Sequence, residues 1–334
     1  MLIDTTEALE EVIGVKPPTL DMKVIDHIDA TAQKWLKHSR LMIATVGTAH
    51  GPRMLLAGGK PGFSAGAGHT LELPHDSLDD LTDIAPGAAF GSLWVVPGMR
   101  ETLRLNGQVT ASASGQIKIA IQECYLHCAK ALIRSDFWAA KSNAAALDND
   151  GLFIDKTRFM ALGTISANNE ADLSPKGDPA GKLVQSQDER LLFPDRPGNR
   201  RTDSFLNILT QPTIAAALIV PGYAEVLLVQ GRARLSKNEE SRARFEVDGR
   251  IPNLVVELRD LHLERRPSVA IANAELWKNS PAQPPEGLNP AKIFAAHMRL
   301  SKQKSIGAKI AKVVVSVPGF MQRGLDRDYD TNLY

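Results

Sequence analysis

Cysteine is nearly absent from this chain. Cys124 and Cys128 are the only two among 334 residues, with His127 between them. Three soft ligands so close invite a zinc reading, but a structural site needs four, and no further Cys or neighbouring His supplies the last. The pair is therefore read as buried thiols, with no metal. Net charge is equally scarce: 39 Lys and Arg against 38 Asp and Glu leave +1. Nothing in the composition marks a nucleic-acid or polyanion partner, so any basic site must be local. Long apolar runs are missing too. The longest, 214–229, is interrupted by Pro221, Gly222, Tyr223 and Glu225 and is too short to cross a bilayer. The first twelve residues carry Asp4, Glu7, Glu10 and Glu11 and lack the basic-then-apolar order of a secretory signal. These absences predict a cytoplasmic protein with neither nucleic acid nor membrane as partner.

What is present is enough to fold. A hydrophobic content of 43% over this length suits one large domain or two ordinary ones. The chain also repeats itself. Arg40-Leu-Met-Ile-Ala-Thr-Val-Gly returns as Arg158-Phe-Met-Ala-Leu-Gly-Thr-Ile, 118 residues later, and Pro61 and Pro179 keep that offset. Val96-Pro97-Gly98 with Glu101 and Gly107 returns as Val220-Pro221-Gly222 with Glu225 and Gly231, at an offset of 124. A shared order with six residues of drift indicates a duplicated unit of about 120 residues. Each copy reads as strand, turn, strand, loop, strand, helix and then two long strands, with Val-Pro-Gly marking the turn before them. That pattern predicts a mainly β fold with peripheral helices, a small barrel rather than a doubly wound sheet, occurring twice as a pseudo-dimer within one chain. The expected divisions are a helical N-terminal segment (1–38), repeat 1 (39–150), repeat 2 (151–280), and a Pro-rich linker with a helical tail (281–334). The tail carries Lys302, Lys304, Lys309 and Lys312, read as a solvated helix packed on the barrel.

One stretch of repeat 2 concentrates charge. After an apolar strand ending at Pro194, a Pro-Gly turn carries Arg196, Arg200 and Arg201, and Asp203 or Ser204 stands where a cap for the next helix is needed. Flexible backbone, a helix start and three guanidinium groups make a place to hold an anion, within reach of Lys176 on the preceding loop. Spacing alone leaves open a solvated surface cluster.

The runs Ser-Pro-Lys-Gly-Asp-Pro (174–179), Pro-Asp-Arg-Pro-Gly-Asn-Arg-Arg (194–201), Val-Pro-Gly followed by Glu-Thr-Leu-Arg-Leu-Asn-Gly (96–107) and His-Cys-Ala-Lys-Ala (127–131) are long and ungapped. In them the chain resembles the FMN-binding split-barrel proteins related to pyridoxamine 5'-phosphate oxidase, over about residues 30–280. The resemblance implies two paired barrels with FMN in their interface. It implies that Lys176 binds the phosphate, that Asn199, Arg200 and Arg201 with Arg196 and Ser204 form its loop, and that backbone at Ser174, Pro175, Lys176 and Gly177 lies beside the isoalloxazine ring. It also implies that His127, Lys130 and Arg134 of repeat 1 close the site, with Thr102, Arg100 and Arg104 lining it.

The two copies depart from that pattern in opposite ways. Opposite 175–178, repeat 1 has Ala57-Gly58-Gly59-Lys60, and opposite the arginine loop it has the acidic His75-Asp76-Ser77-Leu78-Asp79-Asp80. Opposite His127, Lys130 and Arg134, repeat 2 has Arg266, Val269 and Asn273. The surviving parts of both copies are expected to assemble a single site, with the pseudo-symmetric one empty or repurposed. No residue stands out as a general acid or base. His127 and Lys130 are candidates for polarising substrate or flavin, and Arg134 for holding an anion. The reading is an FMN-dependent oxidoreductase acting on an unidentified small molecule. F420 in place of FMN, or a non-catalytic flavin-binding, haem-binding or scaffold protein, are the alternatives.

Overall fold

The computed structural model describes residues 1–81, 84–143, 147–198, 200–279, 282–301, 324, 327, 329 and 333–334. Asn199 and the tail lysines at 302, 304, 309 and 312 lie outside the described residues. In chain order, β1 (Leu2–Ile3), α1 (Thr6–Ile13) and α2 (Ala30–His38) lead into β2 (Leu41–Thr48), β3 (Gly51–Gly58), β4 (Ala65–Ala67), β5 (Thr70–Pro74), β6 (Ala89–Val95), β7 (Thr102–Ala113) and β8 (Gln116–His127). Helices α3 (Lys130–Arg134) and α4 (Asp150–Lys156) connect to β9 (Phe159–Ile165), β10 (Ala171–Gly177), β11 (Gln185–Gln187) and β12 (Arg190–Pro194). Then come α5 (Asp203–Thr210), β13 (Thr213–Ile219), β14 (Glu225–Ser236), α6 (Glu239–Ala243), β15 (Val255–Pro267), α7 (Val269–Ala274) and α8 (Pro290–Leu300).

Two antiparallel sheets carry one topology. The first runs β3-β2-β6-β7-β8-β5-β4 and the second β10-β9-β13-β14-β15-β12-β11, the same order with every strand advanced by seven. The duplication read from the offsets is therefore a duplication of the whole strand path. The glycines shared by both copies have positional reasons. Gly98 and Gly222 adopt φ of 77° and 100° in the turns before the long strands. Gly107 and Gly231 sit where the long-strand ladders shift register, at Asn106/Gly107 and between Gln230 and Arg232.

The apolar strand runs are continuous because both faces are buried. Met42, Ala44 and Val46 of β2 face the first barrel's core with Trp35, Phe90 and Leu105. Leu41 and Ile43, on the other face, join Phe159, Ala161, Ala215 and Ala217 of the second barrel in a shared cluster. In β9, Met160 and Leu162 turn inward to the second core. Strand alternation thus sends every second residue to a barrel interior and the rest to the interface between barrels. The helices after β8 and β15 are exchanged across that interface. A Cβ on Gly58 would stand 2.0 Å from the Ala270 carbonyl oxygen of α7, and one on Gly177 would stand 1.9 Å from that of Ala131 in α3. Each β3-type strand must end in glycine for the other repeat's helix to approach.

One expectation needs correction. The helix expected in each copy is α5 in repeat 2, whereas the described residues of the β5–β6 connection show a single tight turn at His75–Ser77, and that connection is four residues shorter than the β12–β13 one. The N-terminal segment is largely helical and is shared between the barrels: β1 pairs with β14 and Leu9 of α1 enters the second core, whereas α2 supplies Ala32, Trp35 and Leu36 to the first. In the tail, α8 packs on the first barrel, where Ile293 and Phe294 complete the core.

Helix α8 is fixed by a buried contact. His297, fully buried, places Nε2 3.3 Å from the Asp29 carboxylate, which also caps α2 by accepting the Ala32 N–H at 2.8 Å. Burial alone would raise the Asp29 pKa, but its bonds from His297 and Ala32 outweigh this and bring it down to about 2 from 3.8. A depressed carboxylate stabilises the fold above its unfolded pKa and ceases to do so as pH falls through the folded value. The stability difference between the wild type and Asp29→Asn should therefore shrink as pH falls from about 4 towards 2, as read by urea unfolding. Gly177→Ala and Gly58→Ala should each cost about 1–3 kcal/mol through overpacking, seen as a lowered Tm.

Candidate functional site

The interface opens into one large basic cavity of about 620 Å³, a size typical of sites for cofactor-sized ligands. Repeat 2 contributes Ser174, Pro175, Lys176 and Gly177 from β10 and the loop after β12. Repeat 1 contributes His127 at the end of β8 and Lys130 and Arg134 from α3. The exchange that lays α3 against Gly177 is what carries repeat 1's cations into repeat 2's loop. Among the described residues, the lining holds seven Lys or Arg side chains and two carboxylates, Asp178 and Asp195. The excess is cationic.

The cations divide into those that brace the wall through carboxylates and those that face the cavity. Arg196, expected to grip a ligand, is buried and donates from Nε to Asp178 at 2.7 Å and from Nη2 to the Phe245 carbonyl at 2.8 Å. Arg201 donates to the Tyr125 hydroxyl at 3.1 Å, to Asp203 at 3.0 Å and to Asp21 at 2.9 Å, with its guanidinium 4.6 Å from the Tyr125 ring centroid. These two arginines hold the loop in shape. Lys176 has a weaker hold on Asp195 at 3.3 Å and lies 4.5 Å from the Phe205 ring centroid. Arg134 donates to the backbone carbonyls of Leu333, at 2.6 Å, and of Pro197. Lys130 is buried against the cavity. Arg200 is exposed, has no ion pair among the described residues and sits at φ 60°. A non-glycine residue held in the left-handed region is a strained position of the sort that clusters at binding sites.

Several residues expected at the site do not line it. Ser204 donates its hydroxyl to Asp172 at 2.6 Å, and the cap position of α5 belongs to Thr202, whose side chain makes no capping bond. Thr102 is buried beside His127 across the β7–β8 ladder, outside the lining. Arg100, exposed, is also outside it. Arg104 is 1% exposed and crosses the interface: Nη1 donates to Asp172 of repeat 2 and to the Tyr125 hydroxyl, both at 2.8 Å. The surroundings of His127 disfavour its charged form. Burial, reinforced by the charges of Arg104, Lys23 and Arg201, pushes its pKa well below the ordinary range, which favours the neutral imidazole. Lys23 is likewise brought down to about 8, chiefly by burial, while donating to the Leu126 carbonyl at 2.8 Å. Cys124 and His127 do not converge, because alternation along β8 puts the thiol in the first barrel's core and the imidazole at the cavity.

Asp178 and Asp195 stand inside the recognised motifs, so their pairing with neighbouring cations was open to a reading that balanced charges locally. Tyr125, Asp172, Lys23, Arg250 and Tyr334 carry no such local signal. Each meets its partner through tertiary contact.

The pseudo-symmetric position is filled. The register is one residue from the expected one: Phe159 pairs with Gly177 as Leu41 does with Gly58, which places Ala57, not Gly58, opposite Lys176. Ala57 bridges Leu78, and the Asp79 carboxylate accepts from the Ser268 hydroxyl and the Ala270 N–H, both at 2.6 Å. Asp80 pairs with Arg53 and lies 3.8 Å from Arg266, which occupies the place of His127. The acidic loop does more than repel an anion: its own carboxylates occupy the place, and Asp79 accepts from the Ser268 and Ala270 donors there.

The Arg104–Asp172 pair ties the repeats together in a dry environment, where removing one partner strands a charge. Asp172→Ala should cost about 3–5 kcal/mol in chemical unfolding. Arg104→Met with Asp172→Leu should cost less than that single change, because no charge is then left unpaired.

Residues 152–277 match the family described as Pyridoxamine 5'-phosphate oxidase. No curated protein matches the chain. Among solved structures, a candidate pyridoxamine 5'-phosphate oxidase from Lactobacillus delbrueckii is 19% identical over 38% of this chain and 97% of its own, with a TM-score of 0.27. General stress protein 26 from Bacillus anthracis is 15% identical over 35% of this chain and 93% of its own, with a TM-score of 0.27. An F420 reductase is 13% identical over 36% and 98%, with a TM-score of 0.28. Scores this low carry no argument about function. No helix among the described residues is long and apolar enough to cross a membrane. The sequence match over 152–277, on a strand path that occurs twice, places the second barrel in the pyridoxamine 5'-phosphate oxidase family of split barrels, with the first as a repeat of its topology.

Proposed function

We propose that the chain is a flavoprotein that holds one FMN in the basic cavity between its repeats and serves redox chemistry on a small molecule. The observation that carries this reading is the composite cavity, in which the arginine loop of repeat 2 meets α3 of repeat 1. The donor set fits the group. A phosphate monoester carries up to two charges, and Lys130, Arg134, Lys176 and Arg200 offer both point charges and bidentate guanidinium edges. Backbone at 174–177 would flank the ring. Ile13, Leu183 and Phe205 supply apolar wall to keep water from it. Bound FMN would supply the transfer of a hydride or electron pair. Neutral His127 would hydrogen-bond to ligand without adding charge, and Arg196 and Arg201 would keep the loop in place. No side chain is assigned as acid or base.

Lys176→Ala and Arg200→Ala should each weaken FMN binding by about 2–3 kcal/mol, as expected for loss of a charged partner, in a fluorescence titration. Asp79→Ala should leave FMN affinity unchanged while lowering stability, because its carboxylate serves the Ser268 and Ala270 donors in the opposite half. Equal effects from all three changes would contradict the assignment. A purified protein that takes up no flavin but shows a Soret band with haem, or that binds F420 alone, would replace the cofactor.

A further inference from the structure

The end of the chain forms part of the cavity wall and engages its cations. The ring of Tyr334 lies between two guanidinium groups, 5.5 Å from that of Arg134 and 5.4 Å from that of Arg196, both within cation–π range. The Leu333 carbonyl accepts from Arg134 Nε at 2.6 Å, and the Tyr334 carbonyl accepts from Arg250. The side chain reaches Asp178, and burial, together with that carboxylate, pushes the hydroxyl pKa up to about 12. A second tyrosine anchors the approach. Tyr329 is buried, donates to Glu101 at 3.1 Å and accepts the Ala129 N–H at the start of α3 at 3.3 Å. An aromatic ring with carbonyl oxygens, seated on cations that an anionic ligand would need, resembles that ligand in its chemistry.

We infer that Leu333 and Tyr334 are an internal competitor for the cations of the basic cavity, displaced when an anionic, ring-bearing molecule such as a flavin phosphate binds. The inference rests on the reading of the cavity as a phosphate site and adds its regulation. The Arg134 Nε and Arg250 bonds to the segment must be given up before those groups can turn to a phosphate, so the affinity observed is the intrinsic one reduced by the fraction of chains with an open cavity. Truncating the ring favours the open state.

The test compares FMN titrations of the full-length wild type and Tyr334→Ala, with 3-fluorotyrosine labelling as an independent readout. The chain has four tyrosines, and Tyr334→Phe identifies the resonance of Tyr334. Tyr334→Ala should bind FMN about tenfold more tightly, corresponding to a free fraction of about one in ten in the wild type. The wild-type Tyr334 resonance should titrate above free 3-fluorotyrosine and move to a solvent-like position on adding FMN. Inorganic pyrophosphate, an anion without a ring, should displace the same resonance at higher concentration. Displacement by pyrophosphate with no FMN uptake by either protein would uphold the plug and remove FMN as the cofactor. Equal or weaker FMN binding by Tyr334→Ala, or a Tyr334 resonance that is solvent-like before any ligand is added, would overturn the inference.

Discussion

The structure depends on one apolar layer shared by two sheets. Leu41 and Ile43 from one side and Phe159, Ala161, Ala215 and Ala217 from the other are completely or almost completely buried only because each barrel covers the other's outer face. Burial of such side chains contributes about 1.5–3 kcal/mol each, so the layer is a main reason the repeats hold together. It also fixes position. With the strands locked face to face, α3 and α7 pass to the opposite barrel and rest on Gly177 and Gly58, and the cavity follows from where α3 lands.

Asymmetry then decides which of two equivalent places becomes a cavity. In the half containing Lys176, the loop after β12 is longer, α5 sets it back, and its arginines are braced by Asp178, Asp203, Asp21 and Tyr125. In the other half the shorter loop folds inward, Leu78 bridges the strand, and Asp79 satisfies the donors at the start of α7. The Arg104–Asp172 pair lies on the same side as the cavity and joins β7 of repeat 1 to β10 of repeat 2. Leu228 stands at the corresponding place in β14, opposite Glu264 as Arg104 is opposite Tyr125. Polar contacts thus cross the interface in both halves: a buried Arg–Asp pair on the side of the basic loop, and the Asp79 bonds to Ser268 and Ala270 on the other.

Much of this was legible before any coordinates. Fixed offsets of 118 and 124 residues revealed the duplication, because glycines at a tight turn and at a register shift leave few substitutes. The complementary survival of 194–201 in one copy and 127–134 in the other pointed to a composite site, since charge inventories can be compared position by position. Partner choice was not legible. Arg196 and Arg201 read as ligand-gripping residues, yet their carboxylate and phenol partners reach them through the fold, Asp21 from 180 residues away. Neither the closure of repeat 1's loop nor the arrival of Tyr334 leaves a periodic trace. A helix was expected in both copies, but the repeat 1 connection is four residues shorter and its described residues show only the turn at His75–Ser77.

The central claim is that two unequal halves make a single composite site. Calorimetric titration of the full chain with FMN, counting sites per chain, tests it most directly. The account predicts one FMN per chain. Two per chain would contradict the closure of the first half's site by Asp79, and none would contradict the reading of the cavity as a flavin site.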